Sequence, residues 1–103
     1  MSVTVVSLGV HVLDVLVRPV EAIPEGQGGQ LVEQIRATAA GTAGGTSLTL
    51  AKLGARTRSA GAIGSDPLGD LLVELLQRGG VENGLAKVAS GETSLAEVAR
   101  ATG

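Results

Sequence analysis

The alternation of apolar and polar positions divides the chain into short elements. Val3 to Val10, VTVVSLGV, is β-branched and nearly all apolar. That pattern predicts a strand covered on both faces, as in a parallel sheet. VLDVLVRP follows, with Asp14 inside an otherwise apolar run. Pro19 and Pro24 then bracket a turn that leads into the loop PEGQGGQ. QLVEQIRAT, Gln30 to Thr38, alternates Leu31, Glu33 and Ile35 with Val32, Gln34 and Arg36; it is the expected hairpin partner of residues 12–18. Leu48, Leu50, Ala51 and Leu53 form an apolar repeat, which predicts a helix capped by Thr46 or Ser47 and running to Leu53, with Gly54 at C′. Arg56 to Gly64 reads as another short strand. SDPLGDLLVELLQRGG carries the strongest helix signal. Asp66 fits the N-cap, Pro67 the N1 position, and Leu68, Leu71, Leu72, Leu75 and Leu76 one apolar stripe. Arg78 suits the C-terminal dipole, and Gly79 and Gly80 stop the helix. The tail TSLAEVARATG has capping-box spacing from Ser94 to Glu97 and good helix formers, and would equally serve as a strand. The order strand, hairpin, helix, strand, helix defines an α/β fold with at least one crossover unit.

Composition narrows the class. The 103 residues suit one small domain, with no internal repeat and no linker. Hydrophobic residues make up 44% of the chain, yet none is Phe, Tyr or Trp. The core must come from Val, Leu, Ile and Ala, so the stability margin is expected to be thin. Net charge is −2 with acids and bases interspersed; no basic stripe points to nucleic acid. The absence of cysteine excludes disulfides and thiolate metal sites, and a single histidine, His11, argues against zinc. The N-terminus has no basic n-region, and no apolar run approaches the roughly 18 residues of a membrane span. A soluble cytoplasmic protein with no membrane partner is expected. His11 reads as an ordinary strand residue, since nothing nearby in sequence would orient it.

The stretch ATAAGTAGGTS, Ala37 to Ser47, places three glycines where a helix begins. Glycine weakens a helix interior by up to about 1 kcal/mol relative to alanine. Either the backbone turns sharply here with close packing, or a ligand approaches N–H groups at a helix N-terminus. The stretch is not a P-loop, which needs Lys and Ser/Thr after its last glycine, and it lacks G-x-G-x-x-G spacing.

A wider spacing bears on that choice. From Ala40 the chain runs A-G-T-A-G-G-T-S, then six residues to Gly54 and nine more to Gly64. This resembles the first signature of the ribokinase-like, or phosphofructokinase-B, family of carbohydrate and nucleoside kinases, with Gly45 where the family has Asn. AKLGA, GAIGSDPLGDLLVELLQRGGV and VVSLGVHVLDVLVRPVEAIPEGQ resemble the family's flanking segments, so that the likeness covers residues 3 to about 98. It implies the N-terminal portion of a doubly wound α/β sandwich with a small β lid, built here from residues 12–18 and 30–38. Asp14 read by itself is an edge-strand acid facing water. The resemblance makes it the acid that accepts hydrogen bonds from sugar hydroxyls, with Gly41, Thr42 and Gly45 along the sugar site.

The same likeness implies a small-molecule sugar or nucleoside as substrate, ATP and Mg2+ as the family's cofactors, and a homodimer through the lid strands. Gly45 in place of Asn, and Val12 at a second commonly polar position, weigh against ribose itself. The family's glycine-rich segment with its catalytic Asp has no counterpart in these residues. No catalytic, nucleotide-binding or metal-binding residue is therefore assigned, and residues 1–103 are expected to be an inactive N-terminal piece of a kinase. The alternative is a non-catalytic sugar-binding or dimerisation module; a defective product without function is the third reading.

Overall fold

The computed structural model describes residues 4–88. The expectations for the tail, including Ser94 and Glu97, lie outside the described residues. The elements run β1 (Thr4–Leu8), β2 (Val12–Arg18), β3 (Gln34–Ala40), α1 (Thr42–Lys52), β4 (Arg56–Gly64), α2 (Pro67–Arg78) and β5 (Val81–Val88). β1, β4 and β5 form a parallel sheet in the order β1-β4-β5, and β2 pairs with β3 as an antiparallel hairpin. This is the α/β arrangement expected.

Both helices lie against one face of the sheet. Ser7 and Ser59 are in register on β1 and β4. The Ser7 hydroxyl donates to the Ala43 carbonyl of α1 at 3.1 Å, and Ser59 bonds to Ser47 of the same helix. On the same face Ile63, Val81 and Leu85 meet Leu72 and Leu76 of α2, with Ala39 of the hairpin completing the cluster. Burying a leucine contributes about 1.5–3 kcal/mol, so Leu72 and Leu76 are the main apolar anchors of α2. The opposite face of β1 carries Val6 and Leu8, 56% and 62% exposed. Cover on both faces was expected for this strand; among the described residues only one face receives a helix.

The sequence reading ends on α2 and assigns no strand to Val81–Val88, and several boundaries differ from it, β1 among them, which spans Thr4–Leu8 rather than 3–10. The second hairpin strand spans residues 34–40 rather than 30–38. Leu31 is 99% exposed, so its alternation with Glu33 and Ile35 reports no buried face. The register ties Arg18 to Gln34 and Val12 to Ala40, which carries the strand on to the helix.

Helix α1 starts at Thr42, ahead of the cap expected at Thr46 or Ser47. Gly41 is its N-cap and no side chain caps it. Instead the Val10 carbonyl accepts from the N–H groups of Ala43 and Gly44 at 3.0 and 3.4 Å. The Thr46 and Ser47 hydroxyls donate back to the carbonyls of Thr42 and Ala43, at 2.6 and 2.7 Å, a role such residues take inside a helix. The C-terminus follows expectation, with Gly54 just beyond the helix at φ 95°.

Helix α2 begins as its sequence indicates. The Asp66 carboxylate accepts from the Gly69 N–H at 2.8 Å, and Pro67 occupies the first turn. Glu74 and Arg78 form an i,i+4 ion pair at 2.9 Å. Leu68, placed on the apolar stripe by sequence, is 63% exposed, because the helix meets the core one turn later, at Leu72.

Candidate functional site

The glycine cluster resolves residue by residue. Gly41 sits at φ 90°, and a Cβ there would lie 2.5 Å from the Val10 carbonyl oxygen. Only glycine satisfies both constraints. Gly44 is buried, and a Cβ on it would touch the His11 ring at 3.5 Å. Gly45 is different, because none of the described residues lies within 4 Å of its would-be Cβ. Packing accounts for Gly41, whereas Gly45 borders open space. Thr42, exposed, opens the helix between them.

Asp14 lies on β2, half-buried and directly opposite Thr38 on β3. Strand alternation puts Val12, Asp14, Thr38 and Ala40 on one face of the hairpin. Leu13 and Ala39 occupy the other face, and Ala39 joins the core. At about 3.4 Å per residue, Thr38 stands roughly 10 Å along the strand from Gly41. The Asp14 face thus runs through Ala40 into the glycine turn. Among the described residues the Asp14 carboxylate has no hydrogen-bond or ion-pair partner.

His11 departs from its sequence reading. It lies in the link between β1 and β2, not in a strand, and it is firmly oriented. Its Nδ1 is 3.0 Å from the Gly9 carbonyl oxygen. A carbonyl accepts only, so Nδ1 carries the hydrogen and Nε2 keeps its lone pair. Nε2 is buried and has no partner among the described residues. Burial lowers the His11 pKa from its ordinary value, and the bond to Gly9 offsets part of that shift. Gly61 of β4 makes the room: a Cβ there would come within 2.9 Å of Nδ1. The one sequence signal for this notch was a glycine in the middle of an otherwise strand-like run.

A cleft of about 200 Å³ lies between the hairpin and the start of α2, lined by His11, Leu13, Ile63, Asp66, Leu68 and Leu72, among others. None of Asp14, Gly41, Thr42 or Gly45 lines it. The structure brings Gly41, Thr42 and Gly45 together on the first turn of α1 and sets Asp14 on the adjoining hairpin face, away from this cleft. At the far end of the sheet Glu82 bonds to Arg56 at 2.9 Å and to Arg58 at 3.2 Å. Hydrogen bonds from Arg56 first and Arg58 second lower its pKa.

Comparison with known proteins matches this arrangement to one family. The model of the pfkB family carbohydrate kinases matches residues 4–102. The chain belongs to that family. A ribokinase-type protein from Agrobacterium tumefaciens superposes with a TM-score of 0.74 at 30% identity, over 91% of this chain and 30% of that one. A fructokinase from Xylella fastidiosa, solved with bound ATP, gives 0.67 at 23% identity, over 90% of this chain and 28% of its own. A ribokinase from Thermotoga maritima gives 0.61 at 23% identity, over 86% and 29%. The chain therefore spans less than a third of the length of these structures. No curated protein sequence matches it. No helix among the described residues is long and apolar enough to cross a membrane.

Proposed function

We propose that this chain is the N-terminal part of an ATP-dependent kinase for a sugar or nucleoside, contributing a lid and one wall of the sugar site. The β2–β3 hairpin is the lid. Asp14 accepts hydrogen bonds from substrate hydroxyls, and Gly41, Thr42 and Gly45 line the adjoining wall. One observation carries this reading beyond family membership. A half-buried carboxylate without a partner among the described residues lies on the hairpin face that leads into an open glycine turn. A carboxylate only accepts hydrogen bonds and has several lone pairs to offer, and the hydroxyls of a sugar or nucleoside are the donors that suit it.

None of the described residues is assigned to the family's ATP or Mg2+. A phosphate cradle needs free N–H groups at a helix N-terminus. In α1 those of Ala43 and Gly44 are spent on Val10, and in α2 those of Gly69 and Asp70 are spent on Asp66. Among the described residues no group of three or more His, Cys, Asp or Glu side chains could hold a metal ion. No residue of this chain is proposed as catalytic, and phosphoryl transfer is assigned to polypeptide beyond these residues.

The test is direct. The purified 103-residue chain, given MgATP with a panel of aldoses, ketoses and nucleosides, is expected to yield no phosphorylated product. Product formation would overturn the reading.

One observation favours a second reading, a non-catalytic module that dimerises through the hairpin. Val15, Val17 and Ile35 share the other hairpin face and are all exposed. A monomer in sedimentation equilibrium removes that reading.

A further inference from the structure

We propose that Thr38 contacts the substrate beside Asp14, so that the two side chains together read neighbouring oxygens of a polyhydroxyl ligand. The inference rests on Asp14 as the sugar-binding acid and adds a specificity-determining residue to it. Three observations carry it. Thr38 is directly opposite Asp14 in the β2–β3 register, and both are half-buried. Opposed side chains on one face of an antiparallel pair lie about 5 Å apart at Cβ. Neither has a hydrogen-bond partner among the described residues. Two pairs further along the same face, Arg18 donates to Gln34 at 2.8 Å. That pair closes on itself, whereas Asp14 and Thr38 leave their hydrogen-bonding capacity unspent.

The chemistry of the two groups is complementary. A carboxylate only accepts, while a threonine hydroxyl both donates and accepts. A ligand with adjacent hydroxyls can donate to Asp14 from one oxygen and accept from Thr38 at the next. The β-branched side chain holds few rotamers, so the Thr38 hydroxyl is presented with little freedom. Val12 and Ala40, next along the same face, give the pair an apolar border on the side of the glycine turn.

The experiment is an NMR titration of the full 103-residue chain with ribose, fructose, glucose and adenosine, following hairpin amides. The variants are Asp14→Asn, Thr38→Val and Thr38→Ser. Asp14→Asn is expected to abolish the response. Thr38→Val is expected to weaken binding about five- to tenfold, the loss of one hydrogen bond to a neutral partner. Thr38→Ser should stay close to the parent. Deoxy analogues supply the readout that a merely structural role would not move. For the analogue lacking the oxygen that faces Thr38, the parent and Thr38→Val should bind equally. Should Thr38→Val fail to keep the parent hairpin spectrum, Thr38→Ala replaces it in the same cycle. If Asp14→Asn abolishes binding while the Thr38 variants bind like the parent, the role of Thr38 is overturned and the sugar site stands. If no ligand shifts the parent, or Asp14→Asn binds like it, both are overturned.

Discussion

His11 shows how one side chain can join three elements. Its ring sits in a notch that Gly61 opens in β4, beside Gly44 of α1, and Nδ1 is tied to Gly9 at the end of β1. The hairpin leaves the sheet at this point. Charging the ring would place a second N–H at the buried Nε2, which has no acceptor among the described residues. The folded pKa is lowered by burial, so the unfolded chain binds the proton more readily. Stability is therefore complete above the ordinary histidine range and declines as pH falls below about 6.5. Chemical denaturation between pH 8 and 5 should show this fall, and His11→Gln should flatten it. A parent curve level over that window would remove the role given to His11. Glu82 also has a lowered pKa, but it is exposed and its effect belongs to more acidic pH, so the two do not overlap. Gly41 and Gly45 mark the limit of residue-level reading. Both are glycines in one short run, yet one is dictated by a carbonyl 2.5 Å from its would-be Cβ and the other by no contact among the described residues.

At the scale of elements, α1 docks by hydroxyls as well as by apolar contact, with Leu48 and Ala51 packed against the core. Its buried residues are Ala43, Gly44 and Ser47, small enough to bring helix and sheet close. The single Ser47 hydrogen goes to the Ala43 carbonyl at 2.7 Å, so the Ser59 hydroxyl is the donor in its contact with Ser47. Ser47→Ala then leaves a buried donor on Ser59 without an acceptor, at a cost of about 1–3 kcal/mol. Ser47→Ala with Ser59→Ala should cost less than the two single changes added, by about 1 kcal/mol of coupling. Urea denaturation of the four chains measures it, and strict additivity would refute the arrangement. The start of α1 was misread from sequence for a related reason. Serine and threonine favour N-caps when the backbone lacks another acceptor, and here the Val10 carbonyl of the preceding link takes that role. The start of α2 was legible because Asp66, Pro67 and Gly69 carry its whole cap within four residues.

For the whole molecule, the uneven cover of the sheet matters most. α1 and α2 share one face, and Val6 and Leu8 stand exposed on the other. β1 is also an edge strand among the described residues. Exposed apolar surface beside an open strand edge favours self-association. Val6→Thr combined with Leu8→Thr should reduce concentration-dependent light scattering while shifting stability by no more than about 1 kcal/mol, since exposed positions tolerate change. Unchanged scattering would show that another surface governs association. The relatives with which this chain superposes are about three times as long, in keeping with a fold whose second face is left open by these residues.

Local chemistry alone determined α2 and its cap, strand β4, the hairpin as a feature and the family signature across the glycines, because each is written in residues close together in the chain. Tertiary structure decided the rest. The Val10 carbonyl set where α1 begins, the pairing of Val12 with Ala40 set where β3 ends, and a notch at Gly61 oriented His11. The register that faces Asp14 with Thr38 belongs to the same group. Each depends on a group brought close only by folding, and a backbone carbonyl or a cross-strand neighbour leaves no mark in the sequence around the residue it acts on.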